Sequence, residues 1–474
     1  MRRVPAVLAA AGLAMGAIAA RADTLEEAMV SAYLTSPQLE ARRAQSRGSN
    51  EAISQALANW RPSINLVGQE THERVEGSSS GRPSAQYYAI HAARFTLLQP
   101  LYRGGRTVAQ TEQAEAQIRA DWKKLALVEQ TVLLATATAY LNLWRDEAIL
   151  TLTRYNEWVL QRQLQATRER FVVGEITRTD VAQAEARLAS AIARREQSAG
   201  AVETARAVYA KVVGKMPGAM VLPVLVPDLP ATRDEAIALA RRNNLQVLAT
   251  AYLADARAAG IRLARGEMWP TLSLQAKLGR TWQIGASEAH TETAELVLSL
   301  SFPLYQQGVV DSQLRSAKHT AGQYVYEAEN ARRQAIALAV QRWETLETAK
   351  AQIRANKARI VAAEVALAGV EQEAQVGSRT VLDVLNAEQE RLDAQIALAR
   401  VERDERVAAF QILAAVGRMT VQDRDLPLSA YDPKVHYHNI RDEWFGTSAA
   451  AEADARGDQP LTIVTNPGRK REEE

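Results

Sequence analysis

The sequence predicts a mostly α-helical protein with a small β part, built from a duplicated unit of long antiparallel helical hairpins, each preceded by a pair of strands. Three observations carry this. The stretch Leu304 to Leu426 contains no proline, and Leu314, Ala317, Ala321, Tyr324, Ala328, Ala331, Ala335 and Leu338 recur in steps of three and four, the seam of a coiled coil. Residues of the first half recur in the second at fixed spacings. Between the helical stretches, short segments alternate apolar and polar residues with a period of two.

At a spacing of 208, Glu27, Ala28, Ala32, Gln38 and Pro62 recur as Glu235, Ala236, Ala240, Gln246 and Pro270. At a spacing of 203, Pro100-Leu101-Tyr102, Gly105, Gly174, Asp180-Val181, Val213-Gly214 and Met216 recur as Pro303-Leu304-Tyr305, Gly308, Gly377, Asp383-Val384, Val416-Gly417 and Met419. A repeat this long is duplication of a whole structural unit, not a solenoid. The change of register falls between Pro62 and Pro100, so the first unit has the longer loop there.

The chain divides accordingly. Residues 1–22 read as a secretory signal: Arg2 and Arg3, an apolar run from Val4 to Ala20, and Ala20-Arg21-Ala22 as a small-x-small cleavage site. The first unit covers 23–230, with a β-hairpin over 62–98 and a long helical hairpin over 107–213. The second covers 231–425, with a β-hairpin over 270–302 and a long hairpin over 311–416. Residues 426–446 form a closing segment that, with Met216 to Pro230, wraps the rods. The tail 447–474 has the composition of a disordered segment.

Each unit opens with a short helix (Thr24 to Thr35; Thr232 to Arg242) and a longer one (Gln38 to Trp60; Gln246 to Met268), the latter ended by Pro62 or Pro270. In the strands that follow, Leu272, Leu274, Ala276 and Leu278 alternate with Ser273, Gln275, Lys277 and Gly279, and Leu296, Leu298, Leu300 and Phe302 with Val297, Ser299 and Ser301. Such alternation suits a strand with lipid on one side and a wet lumen on the other. It suits a half-buried soluble hairpin equally. The first copy, Ser63 to Gln69 and Tyr87 to Leu98, is interrupted by Gly68, His91 and Arg94, and Gly77-Ser78-Ser79-Ser80-Gly81 reads as a flexible loop.

A helix from Thr107 to Phe171 is about 97 Å long at 1.5 Å per residue. Its returning partner, Asp180 to Val213, covers about half of it, so the Gln38 to Trp60 helix is needed to stack above. Asp311 to Val376, Thr380 to Val416 and Gln246 to Met268 repeat the arrangement. Gly174 and Gly377 mark the hairpin turns, and Thr177-x-x-Asp180 and Thr380-x-x-Asp383 have the form of capping boxes.

Composition narrows the functional classes. Basic and acidic residues number 57 and 55, and three of the basic ones lie in the signal segment, so nothing points to nucleic acid. Cysteine is absent, which leaves no disulfide framework and no thiol for lipid attachment. The longest uncharged apolar candidate, Gln130 to Trp144, falls short of the roughly 20 residues a spanning helix needs. Any passage through a membrane must be made by strands, and four strands cannot close a barrel, so copies must associate. No phosphate cradle, nucleophile elbow or metalloprotease helix is present, so neither catalytic residues nor a cofactor is expected. His436 and His438 lack a third ligand in sequence, and no metal is expected.

The paired Pro-Leu-Tyr-x-x-Gly segments (Pro100, Tyr102, Gly105; Pro303, Tyr305, Gly308), the paired Val-Gly turns and the closing run from Tyr431-Asp432-Pro433 to Trp444-Phe445-Gly446 resemble the TolC-like outer membrane channel proteins, over essentially the whole mature chain. The closing run is most similar to members serving type I protein secretion. The resemblance implies a homotrimer in the outer membrane: a twelve-stranded β-barrel against lipid, continued by a twelve-helix periplasmic α-barrel. It implies a periplasmic adaptor and an inner-membrane ABC transporter as partners, and a passive exit duct for a protein, or alternatively for drugs and other small molecules. It also implies that the helical turns form the periplasmic entrance, with Asp383 pointing into the aperture and Arg379 bonding toward Thr179 and Asp180. Ala374 stands where the best-known member has a tyrosine, and Asn386 where it has a second aspartate, which implies a less tightly latched entrance. Helix capping alone also accounts for Asp180 and Asp383. A soluble periplasmic coiled-coil scaffold is the competing class.

Overall fold

The computed structural model describes residues 24–79, 82–223, 228–284 and 289–447. The signal segment and, beyond Thr447, the tail lie outside the described residues. The chain forms helices α1 (Leu25–Thr35), α2 (Pro37–Asn50) and α3 (Ala52–Leu57), strands β1 (Ser63–Ser79) and β2 (Arg82–Arg103), then α4 (Arg106–Val172) and α5 (Arg178–Val213). The order recurs as α6 (Arg233–Asn243), α7 (Leu245–Gly266), β3 (Thr271–Ile284), β4 (Ala289–Ser301), α8 (Val309–Gln375) and α9 (Val381–Ala415), followed by α10 (Pro433–Arg441). At 67 residues each, α4 and α8 are about 100 Å long. No described helix is long and apolar enough to cross a membrane.

Two compact units emerge. The first, the hairpin unit, draws on described residues of 24–36, 132–228 and 345–410. Its core includes Leu160, Leu164, Ala184, Ala191 and Leu385, with Val181, Leu188 and Val381 packed against them. Leucine and valine make up most of it, with Ala184 and Ala191 as its small residues. Between α5 and α9, Arg187 donates to Asn386 at 2.8 Å and, one heptad on, Arg194 meets Asp393 at 3.1 Å. The Tyr140 hydroxyl donates to the Val221 carbonyl (2.7 Å) and accepts its N–H (3.1 Å), which ties the post-hairpin segment to α4. Gly214 closes α5 in the left-handed region, and a Cβ there would lie 2.4 Å from the Thr35 hydroxyl of α1.

The second, the sheet unit, draws on 37–131, 229–344 and 411–447. It holds a four-stranded antiparallel sheet in the order β1-β2-β3-β4. The ladder runs through Gly68, His91 and Arg94, which do not interrupt it. It also continues through Gly77 to Ser79, paired with Ser84 to Arg82, where a loop was expected; Ser80 and Gly81 lie outside the described residues. Backbone pairing outweighs the poor strand propensity of glycine and serine there.

Where one helix was expected over Gln38 to Trp60, Glu51 separates α2 from α3, and a 3₁₀ turn, Ala58–Trp60, ends the run. Gly48, Ser49 and Asn50 are poor helix formers. The fully buried Asn50 side chain is also committed elsewhere: it donates to the Pro433 carbonyl (3.1 Å) and accepts from the Trp122 indole (3.0 Å). Helix α10 was not anticipated inside the closing segment, although Asp432-Pro433, an N-cap acceptor followed by proline at the first helical position, marks its start. Tyr437 of α10 stands edge-on to Trp122 at 5.6 Å.

Candidate functional site

Three places in the chain carry the expected functional residues: the turns of the long hairpins, the two faces of the sheet and the strand-to-helix junctions. At the first turn, Gly174 has φ +85° and its N–H bonds the Phe171 carbonyl, while Glu175 N–H bonds Arg170; at the second, Gly377 (φ +81°) bonds Ala374 and Ser378 bonds Glu373. Both are Schellman closures, which need glycine in the left-handed position. The return helices start alike. The Thr177 N–H donates to the Asp180 carboxylate at 2.9 Å and the Asp180 N–H to the Thr177 hydroxyl at 3.3 Å; Thr380 and Asp383 make the same pair at 3.0 and 3.3 Å. The threonine hydroxyl, then the threonine N–H, hold both carboxyls below their ordinary range. Asp180 and Asp383 are therefore anions at neutral pH, half-exposed at the turns.

Arg379 donates to Glu373 of its own turn at 2.8 Å, and this bond, with the charge of Glu373, raises its pKa. Within one chain it is Glu373, not Thr179 or Asp180, that holds Arg379. Thr179 is exposed, and the Asn386 side chain accepts from Arg187. Sequence reasoning missed the apolar character of the turns: Val172, Val173 and Val376 are 82, 70 and 81% exposed, too much for packing to be their purpose here. Deeper in the hairpin unit, burial pushes the Glu388 carboxyl up, although Arg391 donates to it at 2.9 Å.

In the sheet, register assigns each side chain to a face. Leu272, Leu274, Ala276 and Leu278 pair with Leu300, Leu298, Leu296 and Ala294, and Phe95, Leu97, Ile64 and Leu66 continue the same face across β2 and β1. Leu66, Leu278, Leu296, Leu298 and Leu300 are 57 to 77% exposed. An apolar face this bare needs a nonaqueous neighbour. Along β3 the apolar positions run from Leu272 to Leu278, a rise of about 20 Å at roughly 3.3 Å per residue; on the same face Arg280 follows, ion-paired with Glu292 at 3.5 Å and set against the Trp282 ring. At the 35–45° tilt of barrel strands the apolar run gives about 15 Å of height, ending at that ion pair and Trp282. The opposite face pairs Ser273 with Ser299, Gln275 with Val297, Lys277 with Glu295 at 3.4 Å, Gly279 with Thr293 and Thr281 with Thr291.

The strand-to-helix junctions are also duplicated. Pro100 and Tyr102 flank a bulge in β2, and Gly104-Gly105 (φ +63°, +76°) lead into α4; Gln307-Gly308 (φ +56°, +75°) lead into α8 after Pro303 and Tyr305. Gly104, which sequence reasoning passed over, is required by contact: a Cβ there would lie 2.3 Å from the Gly266 carbonyl. Among the described residues, no group of three or more His, Cys, Asp or Glu is placed to hold a metal ion. His436 lies against the Asn50 amide at 3.4 Å, and His438 against the Tyr437 ring.

A bare apolar sheet face bounded by an ion pair and Trp282, a more polar opposite face and paired helical hairpins suit a subunit of an outer-membrane channel. The family model described as "Outer membrane efflux protein" matches residues 29–215 and 236–418. The chain is 34% identical to the outer membrane efflux protein BepC of Brucella suis biovar 1 (strain 1330), over 94% of this chain and 96% of that one. It is 26% identical to the outer membrane protein TolC of Escherichia coli (strain K12), over 89 and 88%. It is 25% identical to the proteases secretion protein PrtF of Dickeya chrysanthemi, over 89 and 94%. The crystal structure of the Campylobacter jejuni CmeC outer membrane channel superposes with a TM-score of 0.74 at 15% identity, covering 88% of this chain and 89% of that one, a likeness of fold.

The chain belongs to the outer membrane efflux protein family. It is a channel of the outer membrane that reaches into the periplasm, and not an enzyme. Channels of the family are homotrimers whose strands complete one β-barrel, and they work with periplasmic adaptors and inner-membrane transporters.

Proposed function

We propose that this channel is the outer-membrane exit duct of a type I protein secretion system, a passive conduit that a periplasmic adaptor connects to an inner-membrane ABC transporter. The reading rests on the resemblance of the closing segment to members serving type I protein secretion; its α10 is seated on α2, α3 and α4 through Asn50, Ser54 and Trp122. A relative named for protease secretion supports the same cargo class. The alternative, efflux of drugs or other small molecules, draws support from a relative named as an efflux protein. Deleting the gene separates them. Retention of a large secreted protein inside the cell, with drug susceptibility unchanged, is the expected outcome; normal secretion with heightened susceptibility assigns the duct to efflux.

The same reading makes the hairpin turns the periplasmic entrance, with three copies of Asp383 forming a cation-attracting constriction. Asp180, Thr179 and Arg379 would narrow it, and Asn386 and Ala374 would leave it less tightly latched. Single-channel recording of Asp383→Ala in planar bilayers should show weaker cation preference. Unchanged selectivity would leave Asp383 as a helix cap alone.

A further inference from the structure

The duplication contains enough information to fix how one copy joins the next. The two β-hairpins share one register under the two repeat spacings: Ser63 faces Leu98 as Thr271 faces Ser301, and Leu66 faces Phe95 as Leu274 faces Leu298. The seam between the hairpins, β2 against β3, sets Thr96 opposite Lys277 and Leu97 opposite Ala276. Beyond β1 and β4 the sheet of a single chain stops. Moved forward by the same spacings, Thr96 becomes Ser299 and Lys277 becomes Gln69.

We propose that β4 of one copy pairs antiparallel with β1 of the next in the register that sets Ser299 opposite Gln69, Ser301 opposite Val67 and Leu300 opposite Gly68. A second observation supports it independently. Pro100-Leu101-Tyr102 and Pro303-Leu304-Tyr305 are the same tripeptide, yet the first lies in β2, with Pro100 opposite Ser273 and Tyr102 opposite Leu272, while the second is outside any strand. Leu101 and Tyr102 are 45 and 46% exposed; Leu304 and Tyr305 are 89 and 84% exposed. One sequence in two states, differing by the presence of a neighbouring strand, identifies what the second copy lacks. In the proposed register the pairing runs past Ser301 and brings Tyr305 opposite Ile64 of the next copy. The register also keeps Leu296, Leu298 and Leu300 on the face shared with Ile64 and Leu66, whereas a slip by one residue would turn apolar side chains into the lumen. An edge left open in lipid would cost several kcal/mol per unpaired backbone group.

The proposal depends on the trimer and is indifferent to cargo. The chain has no cysteine, so introduced pairs report without background. Directly opposite residues lie about 4.5–5.5 Å apart and diagonal ones about 7–8 Å, beyond disulfide reach. On oxidation, S299C/Q69C and S301C/V67C should each yield reducible linked dimers and trimers on denaturing gels. S299C/T71C and S299C/V67C should not. T96C/K277C, the matching pair inside one chain, should bridge without changing oligomer mass. Linkage in an off-register variant overturns the register. So does its loss in both on-register variants while the T96C/K277C protein bridges and remains trimeric. A cysteine-free protein that is not trimeric in its native state would overturn the ring reading as well.

Discussion

At Glu129 in α4, a half-buried carboxylate accepts the Val421 N–H at 2.7 Å. Burial raises its pKa, opposed by that N–H and by Arg43 and reinforced by Asp423. A folded-state pKa above the unfolded value near 4.3 means that Glu129 supports folding fully below that value and less as pH rises through its folded pKa. Glu129→Gln keeps the acceptor and removes the ionisation, so its thermal midpoint should fall less on going from acid to neutral pH than that of the native chain. Glu129→Ala leaves the Val421 N–H unpaired and should cost about 1–3 kcal/mol. Equal melting of the two variants across pH would remove the carboxylate from the stability of the closing segment. The Thr-x-x-Asp caps at Asp180 and Asp383 were legible in sequence because capping is local. The partners of Arg379 and Asn386 were not, since they depend on turn conformation and on how α5 and α9 are rotated against each other.

Among the elements, the junction into α4 shows two adjacent glycines with different duties. Gly105 has open space where a Cβ would be, so Gly105→Ala meets only the left-handed backbone penalty, about 1–2 kcal/mol. Gly104→Ala adds an overlap with the backbone of Gly266 and with Trp269, so its total should exceed about 3 kcal/mol. Comparing the temperatures at which the two variants lose their heat-resistant trimer on gels checks this; equal temperatures would mean that the α4 junction can move away from α7. Helix limits were readable to within a few residues because prolines, glycines and caps mark them. The extension of β1 to Ser79 was not, since ladder bonds come from a partner strand, and the break at Glu51 reflects contacts of Asn50 made hundreds of residues away.

For the whole chain, duplication was legible because Val-Gly and Asp-Val sit at left-handed turns and helix caps, where few residues serve, and Pro-Leu-Tyr recurs at the same spacing. The close approach of Gly104 to Gly266 left no such trace: its duplicate positions are Gln307 and Ala58, which share no residue type with it. Those substitutions have a consequence for descent. A barrel of six identical half-length ancestors would have used one kind of joint six times over. Here the glycine contact occurs where the halves meet inside the polypeptide, and Gln307 and Ala58 occupy the corresponding positions where separate polypeptides would meet. The two halves are not interchangeable parts, and a gene trimmed to either one would encode a block without its matching glycine partner.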